Sequence, residues 1–285
     1  MKRKRIVRSI FLWVLIAMLI FTVGMLILRP DFRFTAKQTL ASIAANEKPE
    51  EISSDRLTLN KIPTDDLSGF TVDQSLMLVN RENILPDDFS ADIVEYKDSG
   101  VEMNRCITDS YSELSKAVAD NFGENLYIIS SYRTAEEQNE IEDEQGSDTA
   151  MPSGSSEHQT GLALDVYVDK YAGKAFIKSE AGRFVNENCW KYGFIIRYPA
   201  AKKSVTGIDY EPWHIRYVGS PHAELISKGC VTLEEYYEEL EYGKFYKYDG
   251  YIITRQNGEF LEIPQGKNCV ISSDNMGGYV ITVKE

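Results

Sequence analysis

Pro152-Ser-Gly-Ser-Ser156-Glu157-His158-Gln-Thr-Gly161-Leu-Ala-Leu-Asp165-Val-Tyr-Val168 is the stretch on which the fold turns. Its first part is small and polar. From Gly161 onward apolar residues alternate as in a strand. Leu162, Leu164, Val166 and Val168 fall on one face, and Ala163, Asp165 and Tyr167 on the other. A carboxylate on a strand that reads as buried is costly unless it is paired or holds a metal. His158 is one of three histidines in the chain, and a second, His214, follows in Tyr210-Glu211-Pro212-Trp213-His214. His158, Asp165 and His214 make an N/O/N set, the number of protein ligands a catalytic zinc uses while keeping a fourth position for water. Glu211, beside the last ligand, is the candidate general base. Strand alternation would put Glu211 and His214 on opposite faces. They share a cavity only if the backbone is irregular, and Pro212, which cannot donate to a ladder, predicts a distortion there. The third histidine, His222, has no acid in its motif and reads as a surface residue at a helix start.

Working outward, Thr108–Phe122 reads as a helix with Tyr111, Leu114, Val118 and Phe122 on its apolar face and Gly123 as its stop. A short buried strand over 126–131 leads into Tyr132 and Arg133. Thr134 and Glu137 make a capping box for the next helix, and 147–155 reads as a polar loop. A helix over 180–192 stops at Gly193, strands follow at 194–198 and 213–218, and helices at 221–228 and 232–242. Short strands at 251–254, 259–263 and 278–283 carry a tight-turn signal at Gln256-Asn257-Gly258.

The 285 residues carry a formal charge of −13. Lys2, Arg3, Lys4, Arg5, Arg8 and Arg29 are the charges up to Arg29, so taking these six from −13 leaves −19 on the remainder. Such a surface repels polyanions, which excludes nucleic acid as a partner. Ile10 to Leu28 is free of charge and approaches the ~20 residues of a membrane-spanning helix. It exceeds the ~7–15 residue apolar core of a signal peptide. The basic cluster before it predicts a cytoplasmic N-terminus and an extracellular remainder in the cell membrane. Cys106, Cys189, Cys230 and Cys269 would then meet an oxidising compartment, with pairing or free thiols both open.

Four blocks carry a family resemblance: Ser131-Tyr-Arg-Thr134, Ser156 to Asp165, Tyr192-Gly-Phe-Ile-Ile-Arg-Tyr-Pro199 and Glu211-Pro-Trp-His-Ile-Arg-Tyr-Val-Gly219. In this order they resemble the VanY-type zinc D-alanyl-D-alanine carboxypeptidases. The resemblance implies an α+β fold in which an antiparallel sheet carries the zinc site and is flanked by helices. It implies one Zn2+ per chain on His158, Asp165 and His214. Arg133, at the end of a buried strand, matches the arginine that stabilises the oxyanion. By the same resemblance Ser156 and Gln138 contact the terminal residue of the substrate, and Trp213 forms an aromatic wall.

The expected organisation is a cytoplasmic tail (1–9), a transmembrane anchor (10–28), an extended extracellular spacer (29–74), the zinc domain (75–242) and a small β-rich appendage (243–285). The expected activity is removal of the terminal D-Ala from D-Ala-D-Ala-ended peptidoglycan stem pentapeptides, free or as the lipid-linked precursor. By resemblance this would contribute to vancomycin resistance. An L,D-carboxypeptidase acting on tetrapeptide stems shares every quoted motif. A catalytically silent peptidoglycan-binding module is the third expectation, although a pure binder has no need of Glu211.

Overall fold

The structure is a computed structural model that describes residues 2–45, 47–145 and 151–285. The expected polar loop over 147–155 therefore lies partly outside the described residues. Two compact units are present, 1–44 and 45–285. The first contains the helices Lys2–Leu28 and Pro30–Ala44. Within it, Ile10–Leu28 is long and apolar enough to cross a membrane.

The second unit holds two larger sheets and two two-stranded ones. A four-stranded sheet runs in the order Tyr127–Ser130, Ala163–Tyr167, His214–Tyr217, Phe194–Ile196, with every pairing antiparallel. The alternation in the founding stretch decides what this sheet buries. Leu162, Leu164, Val166 and Val168 all have 0% exposure, and they pack on Leu114 and Val118 of the Thr108–Phe122 helix and on Phe176 and Val185. The opposite face, carrying Asp165, stays open for the site. The helix ends at Gly123 in the left-handed conformation, as its glycine stop requires.

The second sheet has six strands in the order Glu50–Ile52, Phe245–Tyr248, Tyr251–Asn257, Gly278–Lys284, Lys267–Ser273, Thr71–Asp73. It is mixed, because Lys267–Ser273 runs parallel to Thr71–Asp73. The stretch read as an extended spacer thus contains the Pro30–Ala44 helix and strands that pair with the C-terminal region. Leu59–Pro63 likewise pairs with Phe260–Pro264, so Asn257-Gly258 does not close the hairpin that its turn chemistry predicted. The reason is range: the partners lie about two hundred positions away, where local periodicity carries no signal. The Gln256 side chain closes this corner instead, accepting from the Glu262 amide at 2.7 Å and donating to the Glu262 carbonyl at 2.8 Å.

The two sheets share a core with the helices His222–Gly229 and Leu233–Glu239. Ile195 and Val218 meet Leu225, Ile226 and Tyr236, and these meet Tyr246, Ile253 and Val280 of the larger sheet. The C-terminal region is therefore packed into the second unit. All four cysteines are free thiols.

His222 corrects the sequence reading. It is buried at 3% exposure, with Nδ1 2.7 Å from the Tyr236 hydroxyl and Nε2 2.7 Å from Thr282 Oγ1. Its company comes from 14 and 60 residues away, so its own motif showed none. Burial lowers its pKa from 6.5 to about 3. Between these values the unfolded chain binds a proton that the folded chain refuses, so stability falls on acidification below about 6.5 and is insensitive to this group above it. From pH 7 to pH 5.5, the urea-unfolding free energy of the metal-free protein should drop more in the wild type than in His222→Gln, by about 1 kcal/mol. Equal drops would show that His222 does not couple folding to protons.

Candidate metal centre

Each site residue is aimed by a local feature of the chain. Ser156 leads into a buried helical turn, Glu157–Thr160, which Gly161 ends at φ +69°. A Cβ at Gly161 would sit 2.7 Å from the Asn104 amide nitrogen and 2.5 Å from Ile93 Cδ1. Only glycine can turn the chain here from His158 into the Asp165 strand. The antiparallel register then places Asp165 directly opposite His214. Glu211 precedes the His214–Tyr217 strand in a turn through Pro212 and Trp213. In that turn the His214 amide donates to the Glu211 carbonyl at 3.2 Å. Asn186 holds the turn by donating to the Pro212 carbonyl at 2.8 Å, and Tyr210 donates to the Asn186 carboxamide at 2.9 Å. This is the irregular backbone that lets Glu211 and His214 face one cavity.

That cavity, about 340 Å³, is lined by Arg133, Gln138, Ser156, His158, Asp165, Glu211, Trp213 and His214, along with Glu157 and Tyr198. All eight residues singled out from sequence meet in it. One ligating atom each of His158, Asp165 and His214 lies within 4.8 Å of the others. His158 Nδ1 lies 2.7 Å from the Ser131 carbonyl. A carbonyl only accepts, so the proton is on Nδ1, and the lone pair of Nε2, 3.5 Å from Asp165 Oδ2, is left free to ligate a metal. On the other side His214 Nδ1 lies 3.0 Å from Asp165 Oδ1 and 3.8 Å from Glu211 Oε2. The approach to Oδ1 has the distance but not the direction of a hydrogen bond, and this buried oxygen is left without a partner. Two imidazole nitrogens and an orphaned carboxylate oxygen at this spacing fit a divalent metal with borderline-soft preference.

The electrostatics agree. Burial lowers the pKa of His158. Burial works to lower the pKa of His214, but the nearby carboxylates of Asp165 and Glu157 outweigh it and push it up to about 9. Asp165, although buried, is held well below the usual carboxylate range by the two histidines. The pocket thus favours a cation. Burial raises the pKa of Glu211, with the Asp165 charge adding to the effect and His214 opposing it.

The remaining residues differ in how free they are. Arg133 donates from Nη1 to Gln138 Oε1 at 2.9 Å, while its buried Nε has no partner. Gln138 Nε2 donates to the Met151 carbonyl at 2.5 Å, so its carboxamide braces Arg133 from inside the protein. Ser156 is buried, and Trp213 is half-buried with its ring against the core beneath the sheet. Sequence reasoning missed Glu157 and Tyr198. Tyr198 is buried with its ring centroid 5.0 Å from that of His214. Glu157 has a side-chain exposure of 0% and lies 3.6 Å from His214 Nε2. Both stand inside the quoted motif blocks. Glu157 gave no signal of its own, since a glutamate in a polar loop ordinarily points to water.

The VanY family profile, D-alanyl-D-alanine carboxypeptidase, matches residues 100–220. A D-alanyl-D-alanine carboxypeptidase of Enterococcus faecium is 36% identical over 196 residues, 65% of this chain and 63% of that protein. The alignment thus spans a little under two thirds of that relative's length. The structure is similar to that of the vancomycin resistance D,D-pentapeptidase VanY from a VanB-type cassette, E175A mutant, in complex with Zn(II). That likeness has TM-score 0.51 and 35% identity, covering 57% of this chain and 98% of that one. It is also similar to the LdcB LD-carboxypeptidase, at TM-score 0.55 and 30% identity over 67% of this chain and 98% of that one.

A divalent metal added to the metal-stripped protein should raise its thermal midpoint, since a ligand at 100 times its Kd stabilises by about 2.7 kcal/mol. Asp165→Asn and His214→Ala should lose this shift while keeping the far-ultraviolet spectrum of the wild type. Gly161→Ala should weaken it too, because the clash displaces the turn carrying His158. An undiminished shift in His214→Ala would remove that residue from the ligand set.

Proposed function

We propose, from the premise that this chain belongs to the VanY family of D-alanyl-D-alanine carboxypeptidases, that it is a membrane-anchored zinc D,D-carboxypeptidase. It would remove the terminal D-Ala from D-Ala-D-Ala-ended peptidoglycan stem pentapeptides, free or lipid-linked. The observation that carries this reading is the meeting of a metal triad, an acid and an arginine with an unpartnered nitrogen in one cavity. Zinc is supported as the metal by the donor set and by the Zn(II) complex of the similar VanY structure. The anchor is Ile10–Leu28, with the basic residues before it on the cytoplasmic side and the catalytic residues, within 75–242, outside the cell. Cleaving that D-Ala removes a D-Ala-D-Ala terminus, so the reading includes a contribution to vancomycin resistance.

Bound by His158, Asp165 and His214, zinc supplies Lewis acidity toward a carbonyl and makes water a better acid. Glu211, 3.8 Å from His214 Nδ1 through its Oε2, takes the proton of the attacking water and returns it to the leaving amine of D-Ala. Arg133 presents its free Nε to the oxyanion that develops on the scissile carbonyl. Gln138, whose oxygen holds Arg133 Nη1, fixes the direction of that guanidinium. Ser156 and Trp213 line the space left for the terminal residue.

Incubating the zinc-loaded full chain in detergent with tri-, tetra- and pentapeptide stems tests this. The expected product is tetrapeptide plus D-Ala from the pentapeptide alone. The likeness to the LdcB LD-carboxypeptidase supports a second reading, in which the tetrapeptide is trimmed to tripeptide and the pentapeptide survives. A zinc-loaded protein that cleaves neither is a binder and not an enzyme. Glu211→Gln should keep zinc and lose ~10²–10⁴ in turnover, and Arg133→Ala should keep zinc and lose ~10²–10³. Near-wild-type turnover in Glu211→Gln would displace Glu211 as the base.

A further inference from the structure

Beneath the metal pocket lies a charge cluster that the reaction does not use. One oxygen of Glu157, Oε1, accepts from Arg197 Nε and Arg216 Nη1, each at 2.7 Å. All three side chains have 0% exposure. Arg197 is forked onto Glu234 at 2.9 and 2.6 Å. Arg216 Nη2 donates to the carbonyls of Ser75 and Met77 at 3.0 and 2.9 Å. The other oxygen of Glu157, Oε2, has no hydrogen-bond partner, and neither does His214 Nε2, 3.6 Å from it. Two buried polar atoms without partners, one able to accept and one able to donate, face each other.

We infer that Glu157 is a positioning residue that accepts the Nε2 proton of His214 and so keeps Nδ1 as the metal-ligating atom. Nδ1 is the nitrogen nearest Asp165 and Glu211. The arginines hold Glu157 by Oε1 and so aim Oε2 at the imidazole. A carboxylate behind a ligating histidine fixes its tautomer and strengthens it as a ligand. Glu234 and the Ser75 and Met77 carbonyls, which brace the arginines, all lie outside residues 100–220 of the family match. The metal ligand is therefore set in part by segments beyond that match. This inference rests on the zinc reading above.

Glu157→Gln tests it by changing one atom. A carboxamide whose oxygen still accepts from the arginines presents its NH2 to His214 and favours the tautomer with the proton on Nδ1. Zinc affinity of the full chain in detergent, measured by competition with a chromophoric chelator, should fall ~10–100-fold. Glu234→Gln, which loosens the brace of Arg197 without facing His214, should lower affinity less than Glu157→Gln does. In the unsubstituted zinc-loaded protein, ¹⁵N NMR of the histidine side chains should show His214 protonated at Nε2 and metal-bound at Nδ1. Coordination through Nε2 overturns the inference, as does a folded Glu157→Gln with wild-type affinity. If Glu157→Gln does not fold, the NMR result decides alone. If the unsubstituted chain takes up no zinc, the functional reading fails as well, and that failure appears before any substitution is made.

Discussion

A fully buried carboxylate between two fully buried guanidinium groups is the constraint from which the site is built. Ions out of water are tolerable only when every charge is matched and every donor used, and removing one partner of such a set typically costs ~3–5 kcal/mol. Glu157, Arg197, Arg216 and Glu234 meet the condition as a charge-neutral group of four, with carbonyls taking the remaining donors. Arg197 directly follows the Phe194–Ile196 strand and Arg216 lies within the His214–Tyr217 strand. The strand bearing His214 is therefore locked to its neighbour and to the turn bearing His158 by one cluster.

The same economy appears on the open face of the sheet. Asp165 can stand on a strand between buried Leu164 and Val166 because its face meets imidazoles instead of hydrocarbon. Glu211 reaches the same space because a turn, held by Asn186, replaces what would otherwise be the first residues of a strand. Arg133 keeps one nitrogen free because Gln138 accepts from only one of the others. In each case a polar group that could have been satisfied internally is left facing the cavity, which is how binding energy is reserved for a ligand.

The packing of the C-terminal sheet against Leu225, Ile226 and Tyr236 gives it a structural part in the same unit. Glu234 sits on the Leu233–Glu239 helix, between that sheet and the arginine cluster. Residues 50–73, read from sequence as a spacer, supply strands to the same assembly.

The sequence by itself determined which residues would gather in one cavity, His158, Asp165 and His214 with Glu211 and Arg133, along with the helix 108–122 with its glycine stop and the apolar N-terminal helix. These signals are local: alternation, capping residues and side chains whose chemistry is expensive unless used. Only the tertiary structure decided the rest. Glu157 in a polar loop, His222 after a proline and Val72 in a supposed spacer look ordinary along the chain, because their partners lie 14 to 199 residues away. Burial, register and charge pairing at that range are properties of the packed chain, and no window of sequence contains both halves of them.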